Sequence, residues 1–222
     1  MQVLLSIALL LAAPQRLVAK LPPSGAYLLT TRSEVVGYSG QNLVLQGTVT
    51  GKMSVRLVRL RNERVRVESM VQSVNGSGQG IFDRLLQSMR NQPKNRTVTQ
   101  DRFGSLIAPP KGFSFGTDQL PPNPAAIGSV WNGTLYTGSG RRFAIQNKLD
   151  GFQEVDGVLC AKVLGTVSYT EPSDQGEQLN KANFVKYVSL ATCLVVKELR
   201  WERTTVGNFR IESTGVDKLT RR

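Results

Sequence analysis

Apolar and polar positions alternate with period two along most of this chain, the repeat of a half-buried β-strand. In residues 41–50, Leu43, Leu45, Gly47 and Val49 alternate with Val44, Gln46, Thr48 and Thr50, and residues 27–31 are also strand-like. Residues 55–71 predict a hairpin. With Asn62 and Glu63 as a two-residue turn, Arg59 faces Arg66 and Arg61 faces Arg64. One face is then Val58, Leu60, Val65 and Val67, and the other is Arg59, Arg61, Arg64 and Arg66. A Gly/Ser-rich loop at 75–80 leads into a switch of period. Ile81, Phe82, Leu85, Leu86 and Met89 recur at helical spacing, over about three turns, a length that needs a sheet to lean on. Strand character returns at 96–103.

From Gly128 onward the pattern is antiparallel β again. Asp156-Gly157 is a tight-turn signal between strands at 151–155 and 158–167. A polar loop is expected at 171–183, strands at 184–188, 193–205 and 209–216, a turn at Gly207-Asn208, and a frayed basic tail at 218–222. The fold class predicted is mainly β: a curved antiparallel sheet or half-open β-barrel with one short packing helix.

Two stretches break the pattern. Residues 3–13 are apolar except for Ser6, too short a run to cross a bilayer, which takes about 20 apolar residues, so residues 1–19 read as an export leader ending at Ala19. Only Met1 and Gln2 precede the run, without the usual basic side chain. The protein is therefore expected to work outside the cytoplasm, periplasmic or secreted, with residues 20–222 as one β-rich domain. The second break is at 108–124, which holds prolines 109, 110, 121, 122 and 124 between halves at 26–107 and 126–219. An ordered loop fits better than a linker, because neither flank is self-sufficient.

The formal charge of +12 adds an attractive field for anionic partners: lipid head groups, envelope polymers, a membrane surface. Nucleic acid is not expected outside the cytoplasm, and solubility alone also accounts for such a charge. Histidine is absent, which removes the usual general base, the Ser-His-Asp and Cys-His arrangements and the commonest metal ligand. Like-charged pairs directly opposite one another destabilise a sheet unless an anion or solvent relieves them. The arginine quartet is thus either an anion site for phosphate or carboxylate or an exposed, solvated face. Cys160 and Cys193 both fall in predicted strands, as a cross-strand disulfide or as two buried thiols.

Other motifs carry less. Gly47–Lys52 lacks the spacing of a phosphate loop, and its glycines read as turn residues. Asp150, Glu154 and Asp156 are the nearest approach to a carboxylate cluster, but Asp156 is accounted for by its turn. The aromatics, at 7%, are sparse for a stacking surface and read as core. Asn75, Asn95 and Asn132 begin Asn-x-Ser/Thr triplets, which matter only in a host that glycosylates. No cofactor, metal site or catalytic residue is expected.

Residues 128–131 (Gly-Ser-Val-Trp), the run 149–163 (Leu-Asp-Gly-Phe-Gln-Glu-Val-Asp-Gly-Val-Leu-Cys-Ala-Lys-Val) and the strand 194–198 (Leu-Val-Val-Lys-Glu) carry a resemblance. They resemble a group of secreted bacterial β-rich domains of uncharacterised function, with Ser129 where that group often has Asp. The helix at 81–89 and the turn at 101–104 fit the same order. More remotely, the order of elements is similar to the half-open barrels of the periplasmic lipoprotein carriers. That resemblance implies a non-catalytic envelope protein holding an apolar or amphiphilic ligand such as lipid in a concave sheet face. The alternatives are an interaction module for an anionic polymer, a membrane surface or a protein partner, and a histidine-independent hydrolase.

Overall fold

The computed structural model describes residues 15–91, 94–107, 115–117, 120–137 and 139–222. It is an open antiparallel sheet of eleven strands: β1 (Gly25–Ser39), β2 (Asn42–Leu60), β3 (Arg64–Gly80), β4 (Asn95–Asp101), β5 (Phe115–Thr117), β6 (Val130–Tyr136), β7 (Arg142–Val155), β8 (Val158–Ser173), β9 (Gly176–Ser189), β10 (Val195–Val206) and β11 (Phe209–Arg221). One helix among the described residues, α1 (Phe82–Arg90), packs on it. The spatial order is β4-β3-β2-β1-β11-β10-β9-β8-β7-β6-β5. Two meanders, β1–β4 and β5–β11, meet where the first and last strands pair from Tyr27↔Arg221 to Ser39↔Phe209. The ends of the order do not pair, so the sheet is curved but not closed. Twisted open sheets of this width curl rather than lie flat.

The strands run longer than their sequence patterns. The expected polar loop at 171–183 is instead the tip of the β8–β9 hairpin, paired as far as Ser173↔Gly176. Its polar residues are strand residues on a face that water reaches. The tail is not frayed either, since Lys218 to Arg221 pair with β1. Asp156 and Gly157 do make a two-residue turn with left-handed backbone (φ 50° and 78°), and Val206↔Phe209 closes around Gly207-Asn208.

The expected loop at 75–80 is the end of β3. Its glycines, with Gly47 on β2, form a floor for the helix: Gly47 pairs with Gly78, and a Cβ on either would collide with the Phe82 ring. Phe82 is fully buried there and Leu86 nearly so, against Val35, Leu45 and Val49. Gly47 is therefore a seat rather than a turn residue. Helix α1 has no side-chain cap at its N-terminus, though Asp83 in its first turn and Arg90 in its last complement the dipole. At nine residues it depends on this packing. Gly165 makes the same provision for Phe184 on the neighbouring strand.

The face carrying α1 holds the core. Along it, the chain before β1 crosses the sheet as a strap. Leu17 is fully buried among Trp131, Leu149, Val163 and Val188, and its N–H and C=O exchange hydrogen bonds of 2.9 Å with Ala125. A cut after Ala19 would take Leu17 and this bridge out of the core; residues 1–14 of the expected leader lie outside the described residues. The connection from β4 to β5 crosses between the two edges of the sheet. Of its proline-rich stretch, 108–114 and 118–119 lie outside the described residues, while Leu120 and Ala125 are buried beside Leu17.

Gly47→Ala is expected to destabilise the fold by about 1–3 kcal/mol through overpacking against Phe82. Phe82→Ala removes the obstacle at a cost of about 3–5 kcal/mol. The double variant should be no less stable than Phe82→Ala alone. Urea unfolding of the four proteins measures that coupling; simple additivity would show that the ring does not rest on the glycine floor.

Candidate functional site: a groove on the face opposite the helix

The arginine quartet is divided by the strand register. The β2–β3 turn has three residues, with Asn62 and Glu63 both left-handed (φ 61° and 53°), so the pairs are Leu60↔Arg64, Arg59↔Val65 and Val58↔Arg66. This is one residue away from the two-residue turn expected from the pattern, and such a slip exchanges faces. Burial decides the register: Leu57, Val65 and Tyr27 form a core cluster, whereas Leu60 is exposed. Arg59 consequently lies on the helix face, where its guanidinium donates to the carbonyls of Leu21 (2.6 Å) and Pro22 (2.8 Å) and clamps the strap. Arg64 and Arg66 lie on the opposite face. Arg66 pairs with Glu68 at 2.8 Å, and Arg61 sits in the turn. The four arginines do not share a face.

That opposite face holds a groove of about 630 Å³, lined from β8, β9, β10, β11 and β1. Its floor is a straight row set by the pairings Leu164↔Val185, Val185↔Leu199 and Leu199↔Val216. At strand spacings of about 4.8 Å this apolar row is about 14 Å long. The next positions outward are Lys148 beside Leu164 and Arg32 beside Val216, so a cation closes each end. Two residues along the strands in one direction lie Asn183, Trp201 and Thr214. Two residues in the other direction lie Lys162, Tyr187, Lys197 and Lys218.

Several of these charges are matched locally. Lys162 holds Asp150 at 2.7 Å, a contact that lowers the pKa of the carboxyl and raises that of the amine. Lys218 reaches Asp156 at 3.4 Å, and Arg32 reaches Glu34 at 3.9 Å. The three acids Asp150, Glu154 and Asp156 therefore do not converge; two of them hold lysines, and no group of acids, cysteines or histidines with metal-binding geometry occurs among the described residues. The sequence pattern missed the groove because its apolar row takes one residue from each of four strands on a polar-looking face.

The helix face also carries charge, in a second hollow of about 360 Å³ bordered by Ile145, Val167, Phe184 and Lys186. Arg200 faces Asp217 (3.3 Å), Glu202 (3.4 Å) and Glu198 (4.0 Å). Lys186, opposite Glu198, is 4% exposed, and burial pulls its pKa down to about 8. Its ammonium lies 4.1 Å from the centre of the Phe184 ring. Burial raises the pKa of the Glu198 carboxyl. Arg200 and Lys186 are thus matched by acids on the same or a neighbouring strand.

Cys160 and Cys193 are free thiols, both buried. The Cys193 thiol donates to the Val18 carbonyl at 3.2 Å, another tie to the strap, and burial raises the pKa of both thiols. No helix among the described residues is long and apolar enough to cross a membrane.

No protein-family model matches this chain, and no curated protein matches it either. Among solved structures, it is similar to a DUF1329 family protein from Desulfovibrio piger. The two share 9% identity at a TM-score of 0.22, over 89% of this chain and 84% of that one. A likeness this loose carries no argument, and the reading of the groove rests on its residues.

Two outcomes are expected. Arg59→Ala should cost about 2 kcal/mol by removing charge-assisted bonds to the strap, read from the urea midpoint and from faster proteolysis ahead of β1. Lys186 should make unfolding free energy rise with pH between about 8 and 10.5. Its folded pKa is depressed, so in that window the unfolded chain binds more protons than the folded one. The rise should be absent in Lys186→Met, compared by denaturant titration at pH 7.5, 9 and 10.

Proposed function

We propose that this protein is an exported, non-catalytic binding protein that holds an apolar or amphiphilic ligand, lipid foremost, in the groove across β8–β11 and β1. The observation that carries the reading is the row Leu164, Val185, Leu199 and Val216. These are apolar residues in mutual register on a face that is otherwise polar, inside a volume within the range of small-molecule sites. Adjacent Trp201 presents an amphipathic ring, suited to the boundary between a hydrocarbon chain and water. The apolar leader pattern at 3–13 supports export, and the resemblance of the second half to secreted β-rich domains points the same way.

The basic surroundings of the groove also favour a second reading, a docking face for an anionic polymer or membrane surface. The two readings differ in what the apolar row does. Native mass spectrometry of the purified protein, with organic extraction, should find a stoichiometric amphiphile. Leu199→Asn should weaken binding of a fluorescent fatty-acid probe at least tenfold while changing stability by less than about 1 kcal/mol, as a groove-facing substitution should. Unchanged probe binding in Leu199→Asn would sink the lipid reading. Strongly salt-dependent binding to an anionic polymer, with no probe binding at all, would favour the second.

A further inference from the structure

We propose that the groove selects an amphiphile with an anionic head group, and that Lys197 and Lys218 are the residues that bind that head. The inference rests on reading the groove as an amphiphile site and goes on to assign its polarity.

The two lysines are direct cross-strand partners on β10 and β11. Cα atoms of such a pair lie about 4.5–5.5 Å apart, and like charges so placed destabilise a sheet unless an anion or solvent relieves them. The arrangement that the sequence pattern assigned to the arginine hairpin thus occurs here instead. Lys218 has one acidic partner among the described residues, the exposed Asp156 carboxylate at 3.4 Å. Lys197 has no ion pair among the described residues, and its ammonium stands 5.9 Å from the centre of the Tyr187 ring. Lys162 extends the row beyond Tyr187, already engaged by Asp150, and Lys52 extends it on the other side beyond Thr30. A basic row therefore runs parallel to the apolar row, about 7 Å from it along the strands.

The opposite flank has no such row. Asn183, Trp201 and Thr214 are uncharged, and Glu34, next in line, is held by Arg32. The groove is polarised across its width: lysines line one edge, whereas on the other a cation, Arg203, lies over the Trp201 ring and is already paired with Glu212 at 2.7 Å. An amphiphile that lays its chain on Leu164, Val185, Leu199 and Val216 can bring a phosphate or carboxylate to both ammonium groups. Two ammonium groups offer six N–H donors, enough for an anionic oxygen cluster, and an uncharged head would leave the like-charge pair unrelieved. The occupant is therefore an anionic lipid rather than a chainless polyanion, because only a molecule with both parts uses both rows.

The test is calorimetric titration of the full chain at low ionic strength with dodecyl phosphate and dodecyl maltoside, which has an uncharged head, each below its aggregation concentration. Dodecyl phosphate should bind about tenfold tighter, and the preference should shrink as salt is added. In Lys197→Gln/Lys218→Gln the preference should vanish while dodecyl maltoside binding stays within twofold. Free of the like-charge pair, that variant should unfold no earlier than the parent when no ligand is present. Equal affinities in the parent, or a preference that survives in the double variant, would overturn the head-group assignment and leave the chain-binding reading standing. Failure of both amphiphiles to bind the parent would overturn both. Displacement of dodecyl phosphate by polyphosphate at comparable affinity would also overturn it, since the chain would then contribute nothing.

Discussion

The ladder between β1 and β11 is the interaction on which the rest of this structure depends. It joins the first strand of one meander to the last strand of the other, over nearly their whole length. Neither meander is complete without it, since each would otherwise present a long unpaired edge in the middle of the sheet. The groove straddles the seam. Leu164, Val185 and Leu199 belong to one meander, Val216 is that meander's last contribution, and Arg32 and Glu34 belong to the other. Opening the ladder would strip Arg32 and Glu34 from one end of the groove.

The two faces of the sheet are treated differently. On one, glycines clear space for Phe82 and Phe184, a helix covers β2 and β3, and a strap held by Arg59 and by the Ala125 bridge covers the rest. That face even accommodates buried charge, because Arg200 stands among acids and Lys186 opposes Glu198. The other face carries no helix or strap among the described residues. Strand register there sets one apolar residue from each of four strands in a continuous row, and the residues two positions away along the same strands set lysines beside it. A polarised groove follows from strand register alone, with no loop contributing to it.

Much of the fold was legible in the residues. Period-two alternation marked the strands, the change of period at Ile81 marked the helix, and Asp156-Gly157 and Gly207-Asn208 marked tight turns. The misreadings share a cause. The glycines at 76–80 and the polar residues at 171–183 look like loop material because local composition is the only signal a single chain offers. In the folded protein Gly76 and Gly78 make room for the Phe82 ring, Gly80 for the Val44 backbone, and the polar residues are the wet ends of long strands. The hairpin shows how little separates success from error. A turn of three residues in place of two moves Arg59 to the core face and breaks up the quartet, and the deciding fact is that Leu57 and Val65 are buried with Tyr27, a partner contributed by another strand.

By itself, then, the sequence determined the class of fold, most of its strands, the helix, two of its turns, its strong positive charge and its lack of histidine chemistry. Those are properties of neighbouring residues or of the whole composition. Only the tertiary structure decided which residues stand beside one another across strands: that Leu199 lies between Val185 and Val216, and that Lys197 faces Lys218. In an antiparallel sheet such neighbours are joined by hydrogen-bond register rather than by sequence distance. A shift of one residue, invisible in the alternation of apolar and polar positions, reassigns every side chain to the other face.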